Sequence, residues 1–311
     1  MELRQLRYFV ALADEMHFGK AASRLNIAQP ALTQQIKALE RSVGATLFNR
    51  TKRSVALSTA GLLMLDEAKQ LLRQADRTQS LAMQAGRGEI GIVEVGFVGS
   101  ATFSGVLASA ILAFRQTRPQ VDLRLYEMGI AQQLLQLDER KIDVGFVRPP
   151  VRNCPAGVVI ETVTTEGIIL AINEHHTFAR REPLQVRDLR DELFIVPSLQ
   201  PGTGFFAHSE AIWQKAGFTP RVSQRATQLS TICSLVAAGL GVALLPDSLR
   251  RVQMANVVYR RLADVEQRSP MAIAFRRNEQ SPAVKAFLAD IRATTQAATT
   301  ADSETLEPGA P

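Results

Sequence analysis

The chain has 311 residues, 46% hydrophobic and 21% charged, with a net charge of +6, which suits two or three soluble domains better than one core. No apolar run reaches the roughly 18 residues of a membrane span and the first residues lack a secretory layout, so a cytoplasmic protein with no membrane partner is expected. The two cysteines (Cys154 and Cys233) and four histidines are scattered, which argues against a disulfide framework or a structural zinc site; no cofactor is expected.

Leu3, Leu6, Val10 and Ala13 recur at helical spacing and predict a helix over 3–15. After the interruption His17-Phe18-Gly19, a short helix is expected over Lys20–Leu25 with Gly19 as its cap. Gln29-Pro30 opens a third helix, with Leu32, Ile36, Leu39 and Val43 on one stripe and Gly44 to stop it. A hairpin with the basic tip Arg50-Thr51-Lys52-Arg53 follows, and Ser58 or Thr59 caps a long helix from about Ala60. Leu65, Ala68, Leu72, Ala75, Gln79 and Ala82 form a narrow heptad-like seam on it. That seam reads either as a helix packed on its own domain or, preferably, as a dimerisation helix. Up to residue 58, nine Lys and Arg stand against four Asp and Glu; the remainder is nearly balanced, with 27 against 26. A polyanion partner for the N-terminal end is the expectation.

Gly86-Arg87-Gly88-Glu89 breaks the long helix. The spacing Gly86-x-Gly88-x-x-Gly91 imitates a dinucleotide fingerprint, but here a helix precedes it and a strand follows, the reverse of what that motif needs. Beyond residue 90 strands (92–98, 121–126, 143–147, 168–172, 194–196, 222–225, 242–245, 271–275) alternate with helices (103–115, 132–139, 207–216, 230–238, 282–294). This predicts α/β architecture with mostly parallel sheets. The tail 298–311, rich in Ala, Thr and acidic residues, is expected to be disordered.

Leu6-x-Tyr8-Phe9-x-Ala11-Leu12-Ala13 with Phe18-Gly19-x-Ala21-Ala22-x-x-Leu25, then Ala28-Gln29-Pro30-Ala31-Leu32-Thr33-x-x-Ile36-x-x-Leu39-Glu40, resembles the start of LysR-type transcriptional regulators. Leu47-Phe48-x-Arg50-x-x-Arg53-x-Val55-x-Leu57-Ser58-x-Ala60-Gly61 is similar to the wing of that family, and Leu235 to Pro246 to a segment of its sensor domain. The chain departs from the family's frequent Ser at Ala28 and its frequent Ser-Phe-Thr at His17-Phe18-Gly19. The resemblance implies an α+β multidomain protein: a winged helix-turn-helix (1–58), a linker and dimerisation helix with hinge (59–89), and an effector domain folded like a periplasmic binding protein (90–297). Lobe I would take 90–162 and 268–297, lobe II 163–267. It further implies a homotetramer, double-stranded operator DNA and RNA polymerase as partners, and no catalysis.

With the apolar stripe of the third helix turned inward, 100° per residue puts Pro30, Gln34, Lys37 and Arg41 outside with Thr33 at the edge. Gln29 and Gln34 suit adenine edges and Pro30 a thymine methyl. Thr33, Lys37 and Arg41, with Arg50 and Arg53 of the wing, suit phosphates or a narrow groove. In the effector domain, ligands belong outside the carboxyl ends of strands. That rule selects Ser100, Ala101, Thr102, Gly129 and Arg148 on one side, and Pro197, Ser198, Thr203, Gly204 and Phe205 on the other. Arg148 would clamp a carboxylate, so the expected effector is a small organic anion, aromatic or unsaturated. A transport binding protein would share this sensor fold but lack the basic helix-turn-helix. An enzyme would need a nucleophile or acid–base grouping, and none is found, nor a Gly-x-Ser-x-Gly elbow.

Overall fold

The computed structural model describes residues 1–51 and 54–304, the side chains of 297–304 excepted. The chain divides into two units, Met1–Gln84 and the part from Ala85 onward. Among the described residues no helix is long and apolar enough to cross a membrane.

The first unit holds α1 (Leu3–Glu15), α2 (Phe18–Arg24) and α3 (Gln29–Val43). A hairpin of β1 (Phe48–Arg50) and β2 (Val55–Leu57) follows, then the long helix α4 (Thr59–Gly86). Leu6, Phe9 and Leu12 of α1 close on Leu32, Ile36 and Leu39 of α3 and on Phe48 of the hairpin. Each such side chain, fully buried, contributes about 1.5–3 kcal/mol. Phe9 and Phe48 meet edge to face at 5.4 Å, the arrangement the ring quadrupoles favour. Val43 does not join them: it is 37% exposed, because the helix ends there, at Gly44, beyond the reach of the core.

The cap of α2 also differs from expectation. The helix starts at Phe18, and the His17 imidazole, not Gly19, caps it: Nδ1 accepts from the amides of Gly19 (3.1 Å) and Lys20 (3.2 Å). Ser58 caps α4, accepting from the Gly61 amide at 3.0 Å while its hydroxyl donates to Thr46 O at 2.6 Å. Gly61 is a steric requirement, since a Cβ there would collide with the Leu47 carbonyl. Along α4 the seam splits. Ala68 is buried and Leu65 and Leu72 are half-buried against the core of their own unit, whereas Gln79 and Ala82 are exposed.

The second unit has three sheets. β3 (Gly91–Phe97), β4 (Val121–Glu127), β5 (Val144–Val147), β6 (Val158–Glu166) and β12 (Ser269–Arg276) are ordered β4-β3-β5-β12-β6. On its faces lie α5 (Ala101–Ser104), α6 (Val106–Thr117), α7 (Ile130–Asp138) and α10 (Pro282–Glu304). β12 alternates between two cores: Met271 and Ile273 enter one with α6 and α10, Ala272 and Ala274 the other with α7. The second sheet comprises β7 (Ile168–Asn173), β10 (Ala243–Pro246) and β11 (Val257–Arg260), in the order β10-β7-β11. Beside it β8 (Leu193–Pro197) pairs with β9 (Arg221–Ala226), flanked by α8 (Gly204–Lys215) and α9 (Leu229–Ala237). β7 is buried on both faces, which explains its unbroken apolar run.

The sheets are mixed rather than mostly parallel. β3 runs parallel to β4 and β5, and β8 to β9, but β12 opposes β5 and β6, and β7 opposes both its neighbours. The reason is the connection: the chain leaves the first sheet through β6 and returns through β12. Neither β6 nor β11 is among the expected strands; β6 is mostly Val, Thr and Glu, and β11 is only four residues long. The helix expected over 103–115 is broken at Gly105, whose φ of +82° ends α5 and starts α6. The last helix runs to Glu304, past the expected Thr294 and into the alanine-rich tail, which favours a helix. Residues 305–311 of that tail lie outside the described residues.

Candidate functional site

On α3 the stripe Leu32, Ile36 and Leu39 is fully buried, which fixes the opposite face. Gln29, Pro30, Thr33, Gln34 and Lys37 share one open concavity on that face, and Gln34 and Arg41 are exposed. The Thr33 hydroxyl donates back to Gln29 O at 3.0 Å, which holds its methyl and oxygen against the helix. Arg41 Nε donates to Lys37 O at 3.3 Å. Gln29 Oε1 reaches within 3.5 Å of where a side chain at Gly19 would begin, so the start of α3 lies beside the start of α2.

Arg50 is engaged within the domain. Its guanidinium donates to Glu40 Oε2 at 2.9 Å and lies 4.9 Å from the Phe18 ring centre. The other Glu40 oxygen accepts from the amides of Leu47 (3.0 Å) and Phe48 (3.2 Å). Glu40 therefore ties α3 to the wing, and Arg50 completes that tie instead of projecting freely. Arg53, expected beside it, lies outside the described residues.

In the second unit a cavity of about 470 Å³ opens at the carboxyl ends of β3, β4, β5, β8 and β9. Ser100, Thr102, Gly129, Arg148, Pro197, Ser198 and Phe205 line it as expected. Ala101, Thr203 and Gly204 do not. Ala101 is fully buried, with its amide on Val98 O; Thr203 donates its hydroxyl to Gln200 O at 2.7 Å; and Gly204 donates its amide to Pro150 O at 2.8 Å. The expected list omits Thr227, Gln228, Leu229 and Ser230 at the start of α9. Applied to the strand at 222–225, the rule that ligands sit at strand ends would have found them.

Arg148 does not have the open fork of a carboxylate clamp. It is 1% exposed: Nε donates to Ser100 Oγ (3.2 Å), Nη1 to the Ser269 hydroxyl (2.8 Å) and carbonyl (3.3 Å), and Nη2 to Glu166 Oε1 (2.7 Å). Burial depresses its pKa, and the Glu166 charge and hydrogen bond oppose that. Its fork is spent on the two strands that leave and re-enter the first sheet, with Ser100 the one partner that faces the cavity.

The cavity's remaining polarity is hydroxyl, amide and one carboxylate. α9 begins at Gln228 with no side-chain cap, so its first amides have no intrahelical acceptor. Ser230, Ser198 and Ser100 present hydroxyls, while Phe103, Met128, Ile130, Leu199 and Phe205 supply apolar walls. Glu127, whose Oε1 lies 2.8 Å from where a side chain at Gly99 would begin, is exposed and has no ion-pair partner among the described residues. Nearby, His208 on α8 has Nε2 2.8 Å from Pro149 O and Nδ1 3.1 Å from Gln267 Nε2. Burial lowers its pKa, and the Arg148 charge acts the same way.

Residues 3–62 match the family described as bacterial regulatory helix-turn-helix protein, lysR family, and residues 86–296 match the LysR substrate binding domain. The transcriptional regulator AlsR of Bacillus subtilis is 36% identical over 288 residues, 93% of this chain and 94% of that protein. BenM of Acinetobacter baylyi is 34% identical over 294 residues, 94% and 95% of the two chains. The crystal structure of CbnR, a LysR family transcriptional regulator, superposes with a TM-score of 0.82 at 27% identity, covering 94% of this chain and all of that one; CbnR complexed with its target DNA gives the same score and identity, with 95% of this chain covered. An N-terminal helix-turn-helix joined to a ligand-binding α/β domain, matched over nearly its whole length, places this chain in the LysR family of transcriptional regulators.

Proposed function

We propose that residues 1–58 read operator DNA through α3 and that a small organic anion, bound in the cleft of the domain spanning 90–297, modulates that binding. The observation that carries the DNA reading is the gathering of Gln29, Pro30, Thr33, Gln34 and Lys37 in one exposed concavity above a stripe with no exposure at all. A helix anchored on one side and hydrogen-bonding on the other has the form needed to enter a major groove. Gln29 and Gln34 take base edges and Pro30 a thymine methyl, while Thr33, Lys37, Arg41 and Arg53 take phosphates. Arg50 contributes by fixing the wing.

Two half-sites one helical turn apart require a second copy. The exposed C-terminal half of the α4 seam is the surface we assign to it. By likeness to the family we extend this to a homotetramer that contacts RNA polymerase.

For the effector, the uncapped start of α9 and the hydroxyls of Ser100 and Ser230 favour one carboxylate, and the apolar walls favour an aromatic or unsaturated body. Glu127, on the same lining, disfavours a second negative charge on the ligand. A ligand that prefers one arrangement of the domain then shifts the population of DNA-binding states. The test is a mobility-shift or anisotropy titration with the DNA upstream of the gene. Gln29→Ala is expected to cost about 1–3 kcal/mol on a specific site and little on random DNA; equal losses on both would remove the base-reading role.

A further inference from the structure

A second cavity in the effector domain, about 970 Å³, opens between the start of α6, the end of β6 and the turn after β10. Four arginines reach it. Arg250 lies 3.5 Å from Asp247, and Arg268 donates only to Thr165, at its carbonyl (2.8 Å) and hydroxyl (3.3 Å). Arg251 and Arg261 have no hydrogen-bond or ion-pair partner among the described residues. Of the carboxylates present, Glu166 is already held by Arg148 (2.7 Å) and the Ser248 amide (2.6 Å), and Asp247 faces Arg250. Exposed Glu266 is the one left unpaired. Positive charge is in excess.

The placement of Arg251 makes that excess specific. Its Nη1 stands 3.2 Å from the point where a side chain at Gly105 would begin, and Gly105 is the N-cap of α6. That twelve-residue helix has no acidic residue in its first turn, and Ser104 Oγ takes only the Val106 amide, at 3.3 Å. A guanidinium beside the positive end of a helix dipole is disfavoured unless an anion lies between them. Around the same space, Ser109 presents a hydroxyl.

We propose that this cavity binds a small, multiply charged anion, a phosphate ester of a hydroxylated molecule. Its phosphate sits between Arg251, Arg261 and the first amides of α6, and its hydroxyls face Ser109. Two unpaired arginines and a helix start match a doubly charged phosphate better than a single carboxylate. The volume exceeds what a bare phosphate would fill. This site is separate from the cleft that holds Ser100 and Ser230, and does not depend on what binds there.

The test is calorimetric titration of the full-length protein with inorganic pyrophosphate at constant ionic strength, with citrate as the carboxylate counterpart. Pyrophosphate is expected to bind at one site per chain and more tightly than citrate. The double substitution Arg251→Gln/Arg261→Gln, both on exposed side chains, should weaken it by roughly tenfold or more with unchanged circular dichroism. Ser230→Ala should leave it unaltered. Absence of pyrophosphate binding, equal affinity in the double variant, preference for citrate, or loss in Ser230→Ala would each overturn the proposal.

Discussion

The two surfaces proposed to carry function are assembled in opposite ways. The α3 concavity comes from one helix, and its members recur every three or four residues, so a single period decides which side chains share a face. The effector cleft is lined by residues at and just after the ends of strands scattered between β3 and β10. In the first case burial of Leu32, Ile36 and Leu39 dictates exposure of Gln34. In the second nothing local dictates which hydroxyls meet. The local site can be altered residue by residue, whereas the composite one depends on ion pairs such as Arg148–Glu166 that hold its strands in register.

The largest test of that contrast is Arg148→Met. If Arg148 is a structural tie, loss of the cation leaves Glu166 unpaired and costs about 3–5 kcal/mol in urea unfolding. A ligand clamp would instead lose affinity with stability intact. On the DNA side, Glu40→Ala strips the acceptor from the Leu47 and Phe48 amides and frees Arg50. It should cost about 1–3 kcal/mol and weaken operator and random DNA together, unlike Gln29→Ala. Glu127→Gln should leave stability unchanged and raise affinity for dicarboxylates several-fold relative to monocarboxylates, read by thermal shift; no change would remove Glu127 from the ligand's surroundings.

The smallest effect concerns His208. Its pKa is lowered in the folded chain, so between that value and its ordinary one near about 6.5 the unfolded chain binds more protons. The stability from neutral His208 is therefore complete above the ordinary value and is lost as pH falls through the folded one. His208→Asn should lessen the drop in melting temperature between neutral and mildly acidic buffer. An identical drop in variant and wild type would exclude the residue.

Much of the fold was legible in the sequence because burial has a period. The helix over Gln29–Val43 and the strand at Ile168–Asn173 announce themselves by a stripe and an unbroken apolar run. β6 was not legible, since its sequence Val-Val-Ile-Glu-Thr-Val-Thr-Thr-Glu shows neither an alternation nor an unbroken apolar run. Strand direction depended on the return through β12, which no local pattern encodes. In the cleft, Ser100 and Ser198 follow from the strand-end rule. That Arg148 is engaged by Glu166 and Ser269 was not legible, because those partners lie 18 and 121 residues away and carry no motif. His17 was passed over as a cap because imidazole rarely fills that position.

One pairing has a wider consequence. Ser269 stands opposite Glu166 in the register of β12 and β6, so the segment carrying β7 to β11 departs and comes back at neighbouring points. It is an insertion joined by two adjoining backbones, like a pendant on a double thread, and it is also tied by Gly204 and His208 to the carbonyls of Pro150 and Pro149. Small changes in a few torsions at those threads can swing the entire pendant while its own interior stays undisturbed. The same narrowness makes the junction a natural place for evolution to exchange one pendant for another without redesigning the sheet from which it hangs.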